Sequence, residues 1–183
     1  MLDKRNYELE YMRELQEKYK KDPALLEIAK QLFDVAILID AMENQNIVRQ
    51  TYDKVVAEEL GYRGLSVDKE EVLQDTINAC LSIISRGTMY KEDYTEYLKG
   101  IKAVGTHILF FNYSGEIAAH QACKVMYLAA CLLKEKEFVR IEHPEAYIEQ
   151  NIDQKTYKGL SGIKKQKLEA YGYLVEAVHL LDE

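Results

Sequence analysis

Residues 67–87 read VDKEEVLQDTINACLSIISRG. Ser66 stands ahead of them as the expected N-cap. Asp68, Glu70 and Glu71 put negative charge in the first turn, where the helix dipole favours it, and Arg86-Gly87 ends the run. This is the clearest helix of the chain, and the segments on either side repeat its pattern. Upstream, in IVRQTYDKVVAEELGY (47–62), Ile47, Val48, Tyr52, Val55, Val56 and Leu60 recur at helical spacing, and Gly61 is the expected stop before a loop over 61–64. A polar break, ENQN, separates this helix from LLEIAKQLFDVAILIDAM (25–42), which Asp22-Pro23 should start as cap and first residue. That helix is apolar on nearly all sides and is expected at the centre of the core. Ahead of it, Tyr7 to Tyr19 places Tyr7, Leu9, Tyr11, Met12, Leu15 and Tyr19 among charges, most of them along one stripe, as a surface helix does.

Downstream, YKEDYTEYLKGIKAVGTHILFF (90–111) reads as a helix interrupted by Gly100 and Gly105. Each glycine costs about 1 kcal/mol relative to alanine inside a helix, which marks close packing or a kink. Ser114 then caps GEIAAHQACKVMYLAACLLKEKE, where Ala118, Ala122, Ala129 and Ala130 let a neighbouring helix approach closely. FVRIEH (138–143) is an expected extended connector and PEAYIEQNI a short helix. The last helix, IKKQKLEAYGYLVEAVHLLDE, starts after the turn Gly159-Leu160-Ser161-Gly162.

The whole is expected to be one all-α domain over 1–183, a compact bundle of about six or seven helices. It divides into a lead-in (1–43), central helices (44–137) and C-terminal helices (138–183). With 183 residues, 48% of them hydrophobic, the chain can bury a single core. Two prolines, nine glycines and the near absence of alternating Val, Ile and Thr leave little room for strands. A formal charge of -7 opposes general nucleic-acid binding except where basic residues gather locally. No apolar run reaches the roughly 18 residues of a membrane span, and MLDKRNYELEYM lacks a signal-peptide core, so no membrane and a cytoplasmic location are expected. Cys80, Cys123 and Cys131 sit in apolar helical contexts that suit reduced, buried thiols.

Candidate functional residues are few. His107 and His120 are read as lying on helices that flank a tight turn, where they could face each other across a ligand site together with Lys124. The competing reading is packing with a hydrogen bond. His120 and Cys123 share a face but supply only two of the four ligands of a structural zinc site, so no metal is expected. Asp34 and Asp40 lie about 240° apart around their helix and cannot converge. Lys155, Lys158, Lys164, Lys165 and Lys167 gather around the start of the last helix, where lysines oppose the dipole. With the free N–H groups there, they could hold a phosphate, a nucleotide or an RNA backbone; otherwise they are a solvated face. Phosphate-loop, dinucleotide, hydrolase-elbow and kinase signatures are all missing, so no cofactor is expected.

Several stretches taken in order resemble helical parts of the AbiEii-type abortive-infection nucleotidyltransferase family, the toxins of bacterial toxin–antitoxin pairs. YMRELQEKYKKDPALLEIAKQLFDVAILIDAM is similar to that family's helical lead-in. Residues 67–87, YTEYLKGIKAVGTHILFF and EIAAHQACKVMYLAACLL resemble the bundle after its catalytic core, and PEAYIEQNI through YLVEAVHLL its closing helices. The family also carries a mixed sheet with a glycine-rich nucleotide-binding turn and an Asp-x-Asp-like metal pair. Here Met42 runs almost directly into Ile47, so no residue inherits a catalytic role. The resemblance implies a non-catalytic helical domain that binds a protein or nucleic-acid partner. Two other readings stand beside it: a small-ligand binder or enzyme with a site near His107 and His120, and a self-associating structural protein using the alanine-rich helix as its dimer face.

Overall fold

A computed structural model describes residues 23–182 except 65 and 110. The expected surface helix over Tyr7 to Tyr19 and the Asp22 cap lie outside the described residues. The rest is all-α, with no strand among the described residues. Helix α1 spans Pro23–Ala41, α2 Gln45–Arg63, α3 Lys69–Ile84, α4 Lys91–Gly105 and α5 Gly115–Leu133. Two 3-10 turns, Pro144–Tyr147 and Lys158–Gly162, precede a four-residue α6, Ile163–Gln166, and the closing helix α7, Leu168–Asp182.

Helix α5 is the centre of the bundle. It packs against α3, α7 and α1, while α1 also lies along α4. The reason is side-chain size: Ala118, Ala119, Ala122 and Ala130 are fully enclosed, and short side chains let three neighbours come close at once. The alanine-rich face is therefore buried within one chain and is not free to act as a dimer face. The expectation that α1 would be central is corrected. It buries Ala29, Leu32, Ala36 and Ile39 but leaves Ile28, Val35, Ile37 and Leu38 exposed, because its bulky side chains hold it at the edge.

The helix ends show which local signals prevailed. Asn44 caps α2, its side chain accepting from the Asn46 N–H at 2.9 Å. That helix runs past Gly61 to Arg63, and the glycine that stops it is Gly64, at φ 64°. Asp68 rather than Ser66 caps α3, accepting from Glu71 N–H at 3.0 Å. Ser114 caps α5 as expected, accepting from the Ile117 N–H. Helix α4 ends at Gly105, short of the expected 111, because the chain folds back against it: a Cβ on Gly105 would lie 2.8 Å from the Tyr113 carbonyl oxygen.

The connector after α5 has no regular structure, yet several of its backbone groups are satisfied by side chains. Gln45 donates from Nε2 to the Lys136 carbonyl at 2.8 Å and accepts the Phe138 N–H through Oε1. The Val139 and Ile141 N–H groups donate to the Tyr127 and Tyr173 hydroxyls at 3.4 and 3.3 Å. Phe138 stacks on Tyr173 with ring centroids 5.7 Å apart. Arg140 reaches across to α1, its Nη2 donating to the carbonyls of Ile39 at 3.3 Å and Asp40 at 3.1 Å, and to that of Met42. Last-turn carbonyls have no partner inside their own helix, and here a guanidinium from a distant segment supplies one.

All three cysteines are buried and free. Burial pushes the Cys80 and Cys131 thiols up to about 12 and raises Cys123 as well, so thiolate is scarce at neutral pH. A disulfide reagent is therefore expected to leave the native protein unmodified and to titrate all three thiols in denaturant. Fast labelling of the native chain would contradict this placement.

Candidate functional site

His107 and His120 are placed in different surroundings. His107 is exposed in the turn after α4 rather than on a helix, because α4 stops at Gly105. His120 sits on α5, half-buried, and the groups acting on it are Gln166, Glu116, Lys167 and Arg86. His107 is not among them. Burial holds the His120 imidazole below the usual histidine value. Contact with Gln166 and the Glu116 charge oppose that shift, while Lys167 and Arg86 reinforce it. Nε2 is enclosed and has no hydrogen-bond partner. Cys123, three residues on, is wholly inside the core, and no metal-ligating cluster exists among the described residues. Lys124 pairs with Asp40 across α5 and α1, with only 12% of its side chain exposed, so it is already committed.

The C-terminal lysines divide by role. Lys164 turns inward: its ammonium donates to the Gln150 carbonyl at 2.7 Å and lies 5.2 Å from the Tyr171 ring centroid. Lys155, Lys158 and Lys165 are exposed. Lys167 falls in a break with extended backbone, φ -151°, and pairs with Glu169 at 3.1 Å. The expected last helix is thus split there. Lys164 and Lys165 end the short α6 instead of beginning the long α7, whose first turn carries Glu169. Their apparent conflict with the dipole disappears.

Sequence reasoning missed Arg86, which it used only as a helix stop. The α3 end is a Schellman motif, in which Gly87 N–H donates to the Ser82 carbonyl at 3.0 Å and Arg86 N–H to that of Ile83 at 3.2 Å. Arg86 occupies the left-handed position, φ 52°, where glycine is the usual residue. Its guanidinium reaches Gln166 Oε1 at 3.4 Å. No local pattern announces this, because Gln166 is 80 residues away.

A shallow notch between α2, α3 and the end of α5 is lined by Arg49, Tyr52, Asp53, Lys69 and Glu135 among others. Four of its polar side chains already have partners. The Tyr52 hydroxyl donates to the Lys69 carbonyl at 2.7 Å, Lys69 meets Asp53 at 2.9 Å, and Arg49 donates to the Leu132 carbonyl at 3.4 Å. Burial, then the Glu70 and Asp53 charges, push the Tyr52 phenol up to about 12.

The outer helices present a different feature. Ile28, Val35 and Leu38 are exposed on α1, and Ile47, Val55 and Tyr62 on α2. At about 100° per residue, each trio falls within roughly 80° of arc, so each helix carries an uncovered apolar stripe. Leu38 is 65% exposed and Tyr62 92%, and α2 packs only sparsely on α3.

These features define the class: an all-α helical domain with outward apolar stripes on its first two described helices. Compared with protein-family models, curated proteins and solved structures, the chain matches none. No helix among the described residues is long and apolar enough to cross a membrane.

Proposed function

We propose that the chain is a non-catalytic helical binding domain whose partner is a protein, engaged through the apolar stripes of α1 and α2. The observation that carries this reading is the exposure of Ile28, Val35, Leu38, Ile47, Val55 and Tyr62 on two consecutive helices. Scattered exposed apolar residues are ordinary, whereas aligned ones mark interaction surfaces. A partner that covers both stripes with its own apolar side chains gains the hydrophobic term without unburying any core residue. On this proposal the resemblance to the helices of nucleotidyltransferase-type toxins is a kinship of supporting helices, with no catalytic role for any residue here. Nucleic acid is the less favoured partner, because Lys164 is turned inward and Lys167 is paired.

The test replaces Leu38 and Ile47 by glutamate together, which leaves the core untouched. Sedimentation across a hundredfold concentration range examines a second copy as the partner. A photo-crosslinker placed at Val35, in the wild-type background and in the double variant, examines other proteins in cells. Association or crosslinking that the double variant weakens tenfold or more is the expected result. A strictly monomeric chain whose crosslinks are the same in wild type and variant would refute the reading.

A further inference from the structure

Helix α2 is the long helix that its own chain supports least. None of its described residues is buried, and of its apolar residues Val48 and Tyr52 pack against the core. Gln45, Arg49, Tyr52 and Asp53 tie its first half to the rest of the molecule. The second half is open at Gly61, where an added Cβ would meet nothing within 4 Å. The sequence is also a poor helix former. Ile47, Val48, Thr51, Val55 and Val56 are β-branched, and Gly61 costs about 1 kcal/mol relative to alanine. Such a helix draws its stability from a packed apolar face rather than from propensity. The apolar face left unpacked is the exposed stripe of Ile47, Val55 and Tyr62.

We propose that this stripe is a dimer face: the α2 helices of two copies of the chain pair antiparallel about a two-fold axis between residues 54 and 55. This rests on the reading of the stripes as a protein-binding surface and names the partner. The spacing selects a second copy. Ile47 and Tyr62 stand about 22 Å apart along the helix, and Val55 falls half a residue from their midpoint. Thr51 and Glu58 lie inside the same arc and are equally far from that midpoint. An antiparallel pair centred there sets Ile47 of each copy against Tyr62 of the other, Thr51 against Glu58, and the two Val55 side chains together. One stripe thus complements itself, as an isologous interface requires.

Charge selects the direction. Glu58 is the charged residue within the stripe, and a parallel pair would set it against its own copy. In the antiparallel pair its carboxylate instead meets the Thr51 hydroxyl of the other copy. Lys54 of that copy stands about 4.5 Å away along the axis, at the edge of the stripe. The two Lys54 side chains approach each other near the two-fold axis, and each is drawn aside toward the Glu58 of the other copy. The pairing also sets the open second half of each helix against the tied first half of the other.

The experiment combines sedimentation equilibrium of the full chain with engineered disulfides, since the three native thiols are buried. Ile47, Val55, Ala57 and Tyr62 are all exposed, so cysteine at any of them spares the core. The expected result is a concentration-dependent dimer. Under mild oxidation Val55→Cys should crosslink at least tenfold faster than Ala57→Cys, which points about 160° away around the helix. A mixture of Ile47→Cys and Tyr62→Cys chains should crosslink at least tenfold faster than either chain alone. Lys54→Glu and Glu58→Lys chains should each self-associate at least tenfold more weakly than wild type, and together recover the wild-type affinity within threefold. Native thiols that stay unreactive in every variant show that the core is intact. Ile47→Cys and Tyr62→Cys chains that crosslink faster alone than mixed would overturn the antiparallel pair. A chain monomeric at every concentration would overturn the second copy as partner. In that case Val35 crosslinks to another protein, weakened by the Leu38 and Ile47 changes, would leave the broader reading of the stripes standing, and their absence would remove both.

Discussion

Tyr171→Ala is expected to cost about 3–5 kcal/mol, the range for deleting a buried aromatic side chain. The ring is fully enclosed on α7, and its hydroxyl donates to the Gln150 carbonyl at 3.1 Å. The Lys164 ammonium donates to that same carbonyl at 2.7 Å and lies over the ring. One side chain thus fills the core and holds the segment after Pro144–Tyr147 against the closing helix. Tyr171→Phe keeps the volume and leaves Gln150 its lysine partner, so it should cost only about 1 kcal/mol. Urea unfolding of the pair separates the two contributions, and an alanine variant within 1 kcal/mol of wild type would show the site collapses freely. The same geometry qualifies any binding experiment with Lys164→Ala, because that change also removes a structural contact.

Gly87→Ala should lower stability by about 2–4 kcal/mol, against about 1–2 for Gly64→Ala. Both glycines have positive φ, 78° and 64°. They differ in what a methyl group would meet. At Gly64 nothing lies within 4 Å. At Gly87 the new Cβ would sit 2.7 Å from Tyr94 Cδ1 and 3.0 Å from Tyr94 Cβ, and the latter cannot swing aside without moving α4. Thermal unfolding of the two variants side by side reads the crowding term directly. Equal losses would mean that the α3–α4 turn yields without effort.

The helical class was legible because caps and periodicity are local. Ser114 sits where its sequence position says, and the acids of 68–71 mark the start of α3 even though Asp68 rather than Ser66 accepts the N–H. Gly61 and Gly64 look alike in the sequence; only the backbone shows which one adopts the left-handed turn that ends α2. Centrality was misjudged for the same kind of reason. Helices α1 and α5 are both apolar nearly all round, and what put α5 in the middle was the size of its side chains rather than their polarity. The candidate sites were least legible. The inward turn of Lys164 depends on Gln150, and the reach of Arg86 on Gln166, pairings that no local pattern encodes. His107 was assigned to a helix because Gly105 looks like an interruption. It is an ending, imposed by the returning carbonyl of Tyr113.

The guanidinium of Arg140, which closes the C-terminal end of α1, joins partners 98 to 101 residues apart. A ribosome delivers α1 long before it delivers that arginine, so the nascent helix must wait with its last carbonyls turned to water. Its packing partners α4 and α5 also emerge later than α1 itself. The amino-terminal part of the bundle can therefore set only after most of the chain has left the exit tunnel. Until then, the apolar stripes of α1 and α2 are sticky surfaces already presented to whatever meets the growing chain.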